Sequence, residues 1–260
     1  MSDISQHTLR KSQLIILDML IEFDAICKKH DLQYWLDSGT LLGAARYQGF
    51  IPWDDDIDLS MPIEDYNKFK DIAINELSDD IFFQTKQTDK NFKFDYIKLR
   101  SNKAKIVEFH EQGKDIKYHQ GVFVDIFPML NIDNSKVNKT TYDNTLKSIR
   151  SFSSISLHTP DGIDNPVKRK ELIKELHGMH KDWQDATSKV IYGGEMPDVS
   201  AWFDLDKVLP LKSLEFEGLE FPVPCDYHHY LTEIYTSNYT QTPPKEKRKT
   251  HAFSIEINNN

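Results

Sequence analysis

The 260-residue chain has only two cysteines, Cys27 and Cys225, too few for a disulfide framework or a four-thiolate zinc site. They read as reduced thiols, which suits a cytoplasmic protein in a reducing cytosol. Long apolar runs are also missing. The greasiest stretch, Leu14 to Phe23, is short and broken by Asp18 and Glu22, so no transmembrane segment is expected. No basic region leads into an apolar run at the start of the chain, so no signal peptide is expected. Basic charge is in deficit, with 32 Lys and Arg against 41 Asp and Glu and a formal charge of −9. That balance argues against a non-specific nucleic-acid binder, whose affinity comes from basic phosphate contacts. It leaves room for a phosphate-bearing substrate held through a divalent cation, which supplies positive charge locally. There is no internal repeat, and no P-loop, because Gly39 to Gly43 lacks the Lys-Ser/Thr ending. No Ser–His or Cys–His dyad stands out. His228-His229 and His177-x-x-His180 are spaced as metal pairs could be, but surface histidines are the simpler reading.

What is present suffices for a folded core: 39% hydrophobic and 12% aromatic residues. Ile16, Leu20, Phe23 and Cys27 mark one face of a helix over residues 9–29. Tyr34 to Leu36 reads as a short strand. Ser38-Gly39-Thr40 is a turn carrying two candidate helix caps before a brief helix, Leu41 to Arg46. Pro62, Glu64 and Asp65 suit a helix start, with that helix running to about Leu77. Strands are expected at Ile81–Lys86, Asp95–Arg100, Lys105–Phe109 and Gly121–Phe127. Residues 135–189 are more helical and polar, and a short helix is expected around Tyr227–Tyr235. This order gives a mixed sheet with helices on it, α+β or α/β, which periodicity does not separate. The expected division is a core over residues 1–134 and a helical extension over 135–260 packed on it.

Two features carry chemistry. In an extended strand Asp56 and Asp58 project together while Ile57 and Leu59 point into the core. Paired carboxylates repel unless a positive charge lies between them, and Mg²⁺ or Mn²⁺ with its preference for oxygen ligands removes that repulsion. An acidic triplet alone is more often a solvated loop; the apolar alternation after it and Trp53 before it favour the metal pair. Asp125 lies within Val122-Phe123-Val124-Asp125-Ile126-Phe127, a run that should be buried, where a carboxylate is costly unless paired, protonated or metal-bound. A third carboxylate converging on an Asp-x-Asp pair suits metal-assisted phosphoryl transfer, either as a ligand or as the base for an attacking hydroxyl. Ser38, Gly39 and Thr40 suit the phosphate side, because glycine permits close approach and the helix start directs N–H groups outward. Lys98 and Arg100 share a strand face with Tyr96 and are candidates to reach a phosphate across the sheet.

The stretch from Tyr34-Trp35-Leu36-Asp37-Ser38-Gly39-Thr40-Leu41-Leu42-Gly43-Ala44-Ala45-Arg46 through Gly49-Phe50-Ile51-Pro52-Trp53-Asp54-Asp55-Asp56-Ile57-Asp58 resembles the signature of the LicD family. These are bacterial phosphocholine transferases related to the fukutin-type ribitol-phosphate transferases. Val124 to Pro128, Phe216-Glu217-Gly218, Pro224, Tyr235, Pro243-Pro244 and Arg248 to His251 extend the resemblance, while residues 135–200 add little. The resemblance implies an α+β, nucleotidyltransferase-like mixed sheet flanked by helices. It matches Gly39 and Thr40 to the family's turn, Asp56 and Asp58 to the metal pair, and Asp125 to the third acid. Asp54 belongs to the motif and is read as orienting the pair from behind. The implied reaction moves phosphocholine from CDP-choline, bound through Mg²⁺ or Mn²⁺, to a sugar hydroxyl of a teichoic acid, lipo-oligosaccharide or other glycan. Aromatic rings should receive the quaternary ammonium, with Trp35, Tyr47, Trp53 and Tyr96 as candidates. Transfer of ribitol or glycerol phosphate from a CDP donor is the near alternative, and a non-catalytic glycan-binding protein the distant one. A lipid-linked acceptor would add peripheral contact with the inner membrane face, with no general electrostatic pull at a charge of −9.

Overall fold

Helix α1 (Gln6–Lys29) starts where the Ser5 hydroxyl accepts the N–H of Thr8 at 3.0 Å, and it buries Ile16, Leu20, Phe23 and Cys27 as the spacing requires. The computed structural model describes residues 4–135, 137–151, 165–181, 183, 188–194, 202–248 and 250–258. After α1 come β1 (Trp35–Leu36), α2 (Ser38–Tyr47), β2 (Ile57–Pro62), α3 (Ile63–Glu76), β3 (Ile81–Gln84), β4 (Ile97–Glu108) and β5 (Gly121–Asp133). Then follow α4 (Lys139–Ser151), α5 (Pro166–His177), β6 (Ser188–Tyr192), β7 (Phe203–Asp204), α6 (Leu205–Val208), β8 (Lys212–Phe216), β9 (Leu219–Val223), α7 (Tyr227–Tyr235) and β10 (Ala252–Ile257).

The main sheet runs β1-β2-β5-β4-β10, with β3 also on β4, β6 on β5 and β7 on β6. β2 and β5 are parallel and the other pairs antiparallel, which makes an α+β mixed sheet flanked by helices. Cross-strand register sorts the two faces. Leu36, Leu59, Ile126 and Ile97 form one row, and Ile57, Val124, Leu99 and Phe83 the next. That apolar face receives α1 and α3, which meet through the rings of Phe23 and Phe69 at 4.9 Å. The row between them faces the other way and is polar: Asp58, Asp125, Lys98 and Gln84 lie side by side on four strands.

Three boundaries differ from the sequence expectation, each for a local reason. The cap of α2 is Asp37, whose carboxylate accepts the Ser38 N–H at 2.6 Å, so Ser38 and Thr40 lie inside the helix rather than capping it. The two strands expected at 95–100 and 105–109 are one strand, β4, carrying a register shift between Arg100 and Lys105; the polar Ser101-Asn102-Lys103 segment is a bulge, not a break. β5 continues past Phe127 through Pro128 to Asp133. Proline lacks a donor, and Pro128 falls between the β4 ladder, which ends at Ile126, and the β6 ladder, which begins at Met129. The helix expected at Tyr227–Tyr235 is α7, and Phe216-Glu217-Gly218 forms the tip of the β8–β9 hairpin. Residues 152–164, within the segment expected to be helical, lie outside the described residues.

Candidate active site

The polar row across the sheet sets the geometry. Asp58 on β2 stands directly beside Asp125 on β5, and Asp125 directly beside Lys98 on β4. Lys98 Nζ lies 2.8 Å from Asp125 Oδ2 and 2.7 Å from Oδ1, and 3.4 Å from the centre of the Phe123 ring. Burial raises the Asp125 carboxyl to about 6, even though Lys98 and Arg100 favour its charged form. Lys98 and Arg100 are 3% and 1% exposed. Arg100 donates to Gln84 Oε1 at 2.9 Å and to the Gly121 carbonyl at 2.8 Å. The hydrogen bonds of both cations therefore stay inside the sheet, and neither head group stands at the surface where sequence reading had it meet a phosphate.

The start of α2 is stitched to β2 at Asp58. The Asp37 N–H donates to the Asp58 carbonyl at 3.0 Å, and the Asp58 N–H donates to Thr40 Oγ1 at 2.8 Å. The buried Asp37 carboxylate also accepts from Ser60 Oγ, from the Tyr192 hydroxyl at 2.9 Å and from Tyr230. Burial raises Asp37, while those donors oppose the shift. Gly39 is needed for close approach, since a Cβ there would lie 2.9 Å from Asp54 Oδ2. Asp54, Asp58 and the first turn of α2 at Gly39–Thr40 thus lie together at one edge.

Asp55 points elsewhere. It is fully buried, and its carboxylate accepts the N–H groups of His251 at 3.1 Å and Ala252 at 2.6 Å, where β10 begins. This brings His251 Nδ1 to 3.3 Å from both Asp55 and Asp56. Burial, reinforced by neighbouring carboxylates, raises Asp54 and Asp58 well above the ordinary range; for Asp54 the main neighbour is Asp56, and for Asp58 they are Asp56 and then Asp125. Asp56 goes the other way. Burial raises it, but the His251 imidazole and the Lys98 ammonium outweigh that and hold it below its ordinary value. Tyr235, at the end of α7, is 37% exposed as a residue, but its hydroxyl is raised by burial and by the charges of Asp58, Asp54, Asp37 and Asp56, which sets it at the rim of this edge.

Ligand atoms of Asp54, Asp55, Asp56 and His251 lie within 4.8 Å of one another, with Asp58 and Asp125 outside that compact set. Hard oxygen donors and an excess of buried negative charge fit a divalent cation. Of the four aromatic candidates, Trp35 is fully buried and donates its indole N–H to Tyr230 at 3.1 Å, and Tyr96 packs at 4.8 Å on Phe127 in the core. Tyr47 and Trp53 stand edge to face at 6.4 Å, with the guanidinium of Arg46 over one and that of Arg248 over the other. His180 accepts the Asn131 N–H through Nδ1 and meets Glu64 through Nε2, and His177 Nε2 meets the Gly193 carbonyl, so these two are engaged separately.

Sequence reading missed Tyr192 and Tyr230, and it touched Asp37, Arg46 and Asp55 only as parts of the resembling signature. It touched Tyr235, Arg248 and His251 only as parts of the resembling tail. A lone histidine after a basic run carries no signal of its own; its role comes from a contact 196 residues back along the chain.

The sequence profile of the LicD/FKTN/FKRP nucleotidyltransferase domain matches residues 31–156. The lipopolysaccharide cholinephosphotransferase LicD of Haemophilus influenzae is 31% identical over 265 residues, covering 94% of this chain and 96% of that protein. The ribitol 5-phosphate transferase FKRP of Homo sapiens is 56% identical over a short stretch of 34 residues, 13% of this chain and 7% of that protein. The mouse protein of the same name matches equally over 34 residues, again 13% of this chain and 7% of that protein.

Proposed function

The chain belongs to the LicD family, and on that premise we propose that it moves phosphocholine from CDP-choline to a sugar hydroxyl of a cell-surface glycan precursor, releasing CMP. The observation that carries this reading is the end-to-end likeness to a lipopolysaccharide cholinephosphotransferase, at 31% identity. The approach of Asp54 to Gly39, the bond from the Asp58 N–H to Thr40, and the place of Asp125 beside Asp58 across the sheet support it.

In this reading Asp56, from the compact acidic set, and Asp58 would hold Mg²⁺ or Mn²⁺, with Asp125 beside Asp58 on the neighbouring strand as the third acid. The bound ion would offset the charge of the donor's diphosphate and of the leaving CMP. Ser38, Gly39 and Thr40 present the first turn of α2 to the donor phosphates, and Thr40 fixes the strand that carries Asp58. Asp125, held between Lys98 and the place of Asp58, is the residue positioned to take the proton of the acceptor hydroxyl. Lys98 and Arg100 act from beneath, adding positive potential under Asp125 rather than touching substrate. Tyr47 and Trp53 are the aromatic pair at the rim, and since Arg46 and Arg248 take one face of each, only their opposite faces would be left for the donor's alcohol.

The reaction is assigned to the cytoplasm. The unpaired thiols of Cys27 and Cys225 support a reducing compartment. Among the described residues no helix is long and apolar enough to cross a membrane, so contact with a lipid-linked acceptor would be peripheral.

The short match to the ribitol 5-phosphate transferases favours a second reading, the same chemistry with CDP-ribitol or CDP-glycerol as donor. The test is metal-dependent CMP release from each CDP-alcohol, with and without candidate glycans, using Asp58→Asn as the blank. Release from CDP-choline that vanishes in the variant supports phosphocholine transfer. Release only from CDP-ribitol or CDP-glycerol replaces the donor and keeps the mechanism.

A further inference from the structure

The donor proposed above carries two negative charges on its diphosphate, yet the cations under the site are closed in. Lys98 is held between Asp125 and the Phe123 ring, and Arg100 between Gln84 and Gly121. A second source of positive charge lies on the chain between α7 and β10. The backbone leaves the carboxylate edge at Tyr235 and returns to it at His251. Between those points it is pinned to the signature region three times. Arg46 on α2 donates to the Tyr239 carbonyl at 3.3 Å and to Thr242 Oγ1 at 2.6 Å. The guanidinium of Arg248 lies 4.7 Å over the Trp53 ring. The Asp55 carboxylate holds the N–H groups of His251 and Ala252.

Within this strap Arg248 is set up differently from Lys98, Arg100 and Arg46 among the described residues. Its Nε donates to the Pro243 carbonyl at 2.9 Å, and its Cζ lies over the Trp53 ring at 4.7 Å. Its Nη1 and Nη2 have no hydrogen-bond or ion-pair partner among the described residues, although Trp53 directly precedes Asp54 and Arg248 is three residues from His251. The stack and the Pro243 anchor hold a half-buried guanidinium in place with its two terminal amines unused. That is the preparation a phosphate-binding arginine needs. The planar fork meets two phosphate oxygens at once, and the aromatic platform fixes its plane without competing for its donors.

We propose that Arg248, laid over Trp53 on the 236–251 strap, is the cation that grips the phosphate of the nucleotide half of the donor. This rests on the reading of the chain as a transferase with a nucleoside-diphosphate donor, but not on the identity of the transferred alcohol. The strap is then a working wall of the site, brought there by Asp55 and Arg46, and CMP alone should report its grip.

The test is calorimetric binding of CMP and of CDP-choline, each with Mg²⁺, to the full chain and to Arg248→Gln and Arg248→Lys, with thermal melting of all three. In Arg248→Gln the Kd for CMP and for CDP-choline should rise by the same factor, about tenfold to a hundredfold, the size of one lost charge-assisted hydrogen-bonding group. Arg248→Lys should fall between, since it keeps the charge and loses the fork, and the melting temperatures should coincide. Unchanged CMP affinity in Arg248→Gln overturns the proposal. So does an equal loss in both variants accompanied by lower melting temperatures, because Arg248 would then only hold the strap. Absence of CMP binding by the unmodified chain overturns it together with the transferase reading. Arg248-dependent CMP binding without turnover of CDP-choline removes the choline assignment and supports Arg248.

Discussion

The hydroxyl of Thr40 accepts the backbone N–H of Asp58 at 2.8 Å, so the first turn of α2 sets the height of the strand that presents the Asp-x-Asp pair. Asp37 completes the clamp from the other side of the same residue, donating its own N–H to the Asp58 carbonyl. Thr40→Val removes the acceptor and keeps the shape. It should leave a strand N–H unpaired at a cost of about 1–3 kcal/mol. If Thr40 positions Asp58, CMP release should fall by more than about tenfold, beyond what the lost stability explains, because catalysis is sensitive to small displacements. Thr40→Ser, which keeps the oxygen, should retain most activity. Equal rates for Val and Ser at a temperature where both are folded would remove the positioning role.

Asp58→Asn should abolish transfer without loosening the fold. Burial raises the Asp58 carboxyl, and the charges of Asp56, Asp125, Asp37 and Asp54 raise it further. The sign follows. A carboxyl raised in the folded state binds more protons there than in the unfolded chain, so its contribution to stability declines as pH rises above the ordinary value of 3.8. Ionisation of Asp58 is thus disfavoured in the folded state relative to the unfolded chain, and a neutral isostere removes that opposition. Melting in EDTA should therefore be no lower for Asp58→Asn than for the unmodified chain. Added Mg²⁺ should raise the melting temperature of the unmodified chain and leave the variant unmoved. A variant that melts several degrees lower in EDTA would contradict this balance.

The carboxylates of β2 and β5 were legible in the sequence because they break a local rule: an acid inside an apolar strand asks for a partner. Asp125 met that description, and the register puts Lys98 beside it. The partners of Asp37 and Asp55 were not legible. Tyr192 lies 155 residues from Asp37, and Ala252 lies 197 residues from Asp55. Each hydroxyl or backbone N–H looks ordinary until the fold closes the distance. The same reasoning explains β4. Local polarity at Ser101-Asn102-Lys103 resembles a loop, and only pairing with β5 on one side and β10 on the other shows that the strand continues through it. Lys98 and Arg100 looked free to reach a phosphate because periodicity reports which face a residue is on, not what later covers that face.

His119 offers a pH signature far from the carboxylates. Its Nδ1 accepts the Gly121 N–H at 3.0 Å, which requires that nitrogen to be unprotonated, while Nε2 meets Asn102 Oδ1 at 2.8 Å. The ring stacks on Phe82, with centroids 4.7 Å apart. Burial, aided by Arg100 and opposed by Asp89, lowers the imidazole below its ordinary 6.5. The unfolded chain then binds the extra proton first, so this contribution is complete above 6.5 and is lost as pH falls through the window beneath it. Urea unfolding at about pH 8 and about pH 5 brackets the ordinary histidine value. The unmodified chain should lose more stability between these points than His119→Gln, and parallel losses would show that His119 stays outside the transition.

Gly43 tests whether the approach of α2 to the loop behind the acids is as tight as it looks. Its backbone is ordinary helix, so conformational freedom is not the issue; space is. A Cβ there would lie 2.4 Å from the Gly49 carbonyl oxygen and 3.2 Å from the Ile51 N. These are backbone atoms, so Gly43→Ala forces the helix or the loop to shift. The expected cost is on the order of 1–3 kcal/mol, typical of overpacking a closed interface. The loop leads through Ile51 to Trp53 and Asp54, and the Asp54 N–H donates to the Ile51 carbonyl at 2.9 Å. A displacement at Gly49–Ile51 therefore reaches the carboxylate edge, and CMP release should fall further than unfolding alone accounts for. Gly178→Ala is the control, because a Cβ there comes no nearer than 3.3 Å to the Glu175 carbonyl and Gly178 lies at the end of α5. If Gly43→Ala and Gly178→Ala shift the urea midpoint and the rate alike, the α2–loop contact does not set the geometry of the acids. A Gly43-specific loss of rate at a temperature where the variant is folded would mean that it does.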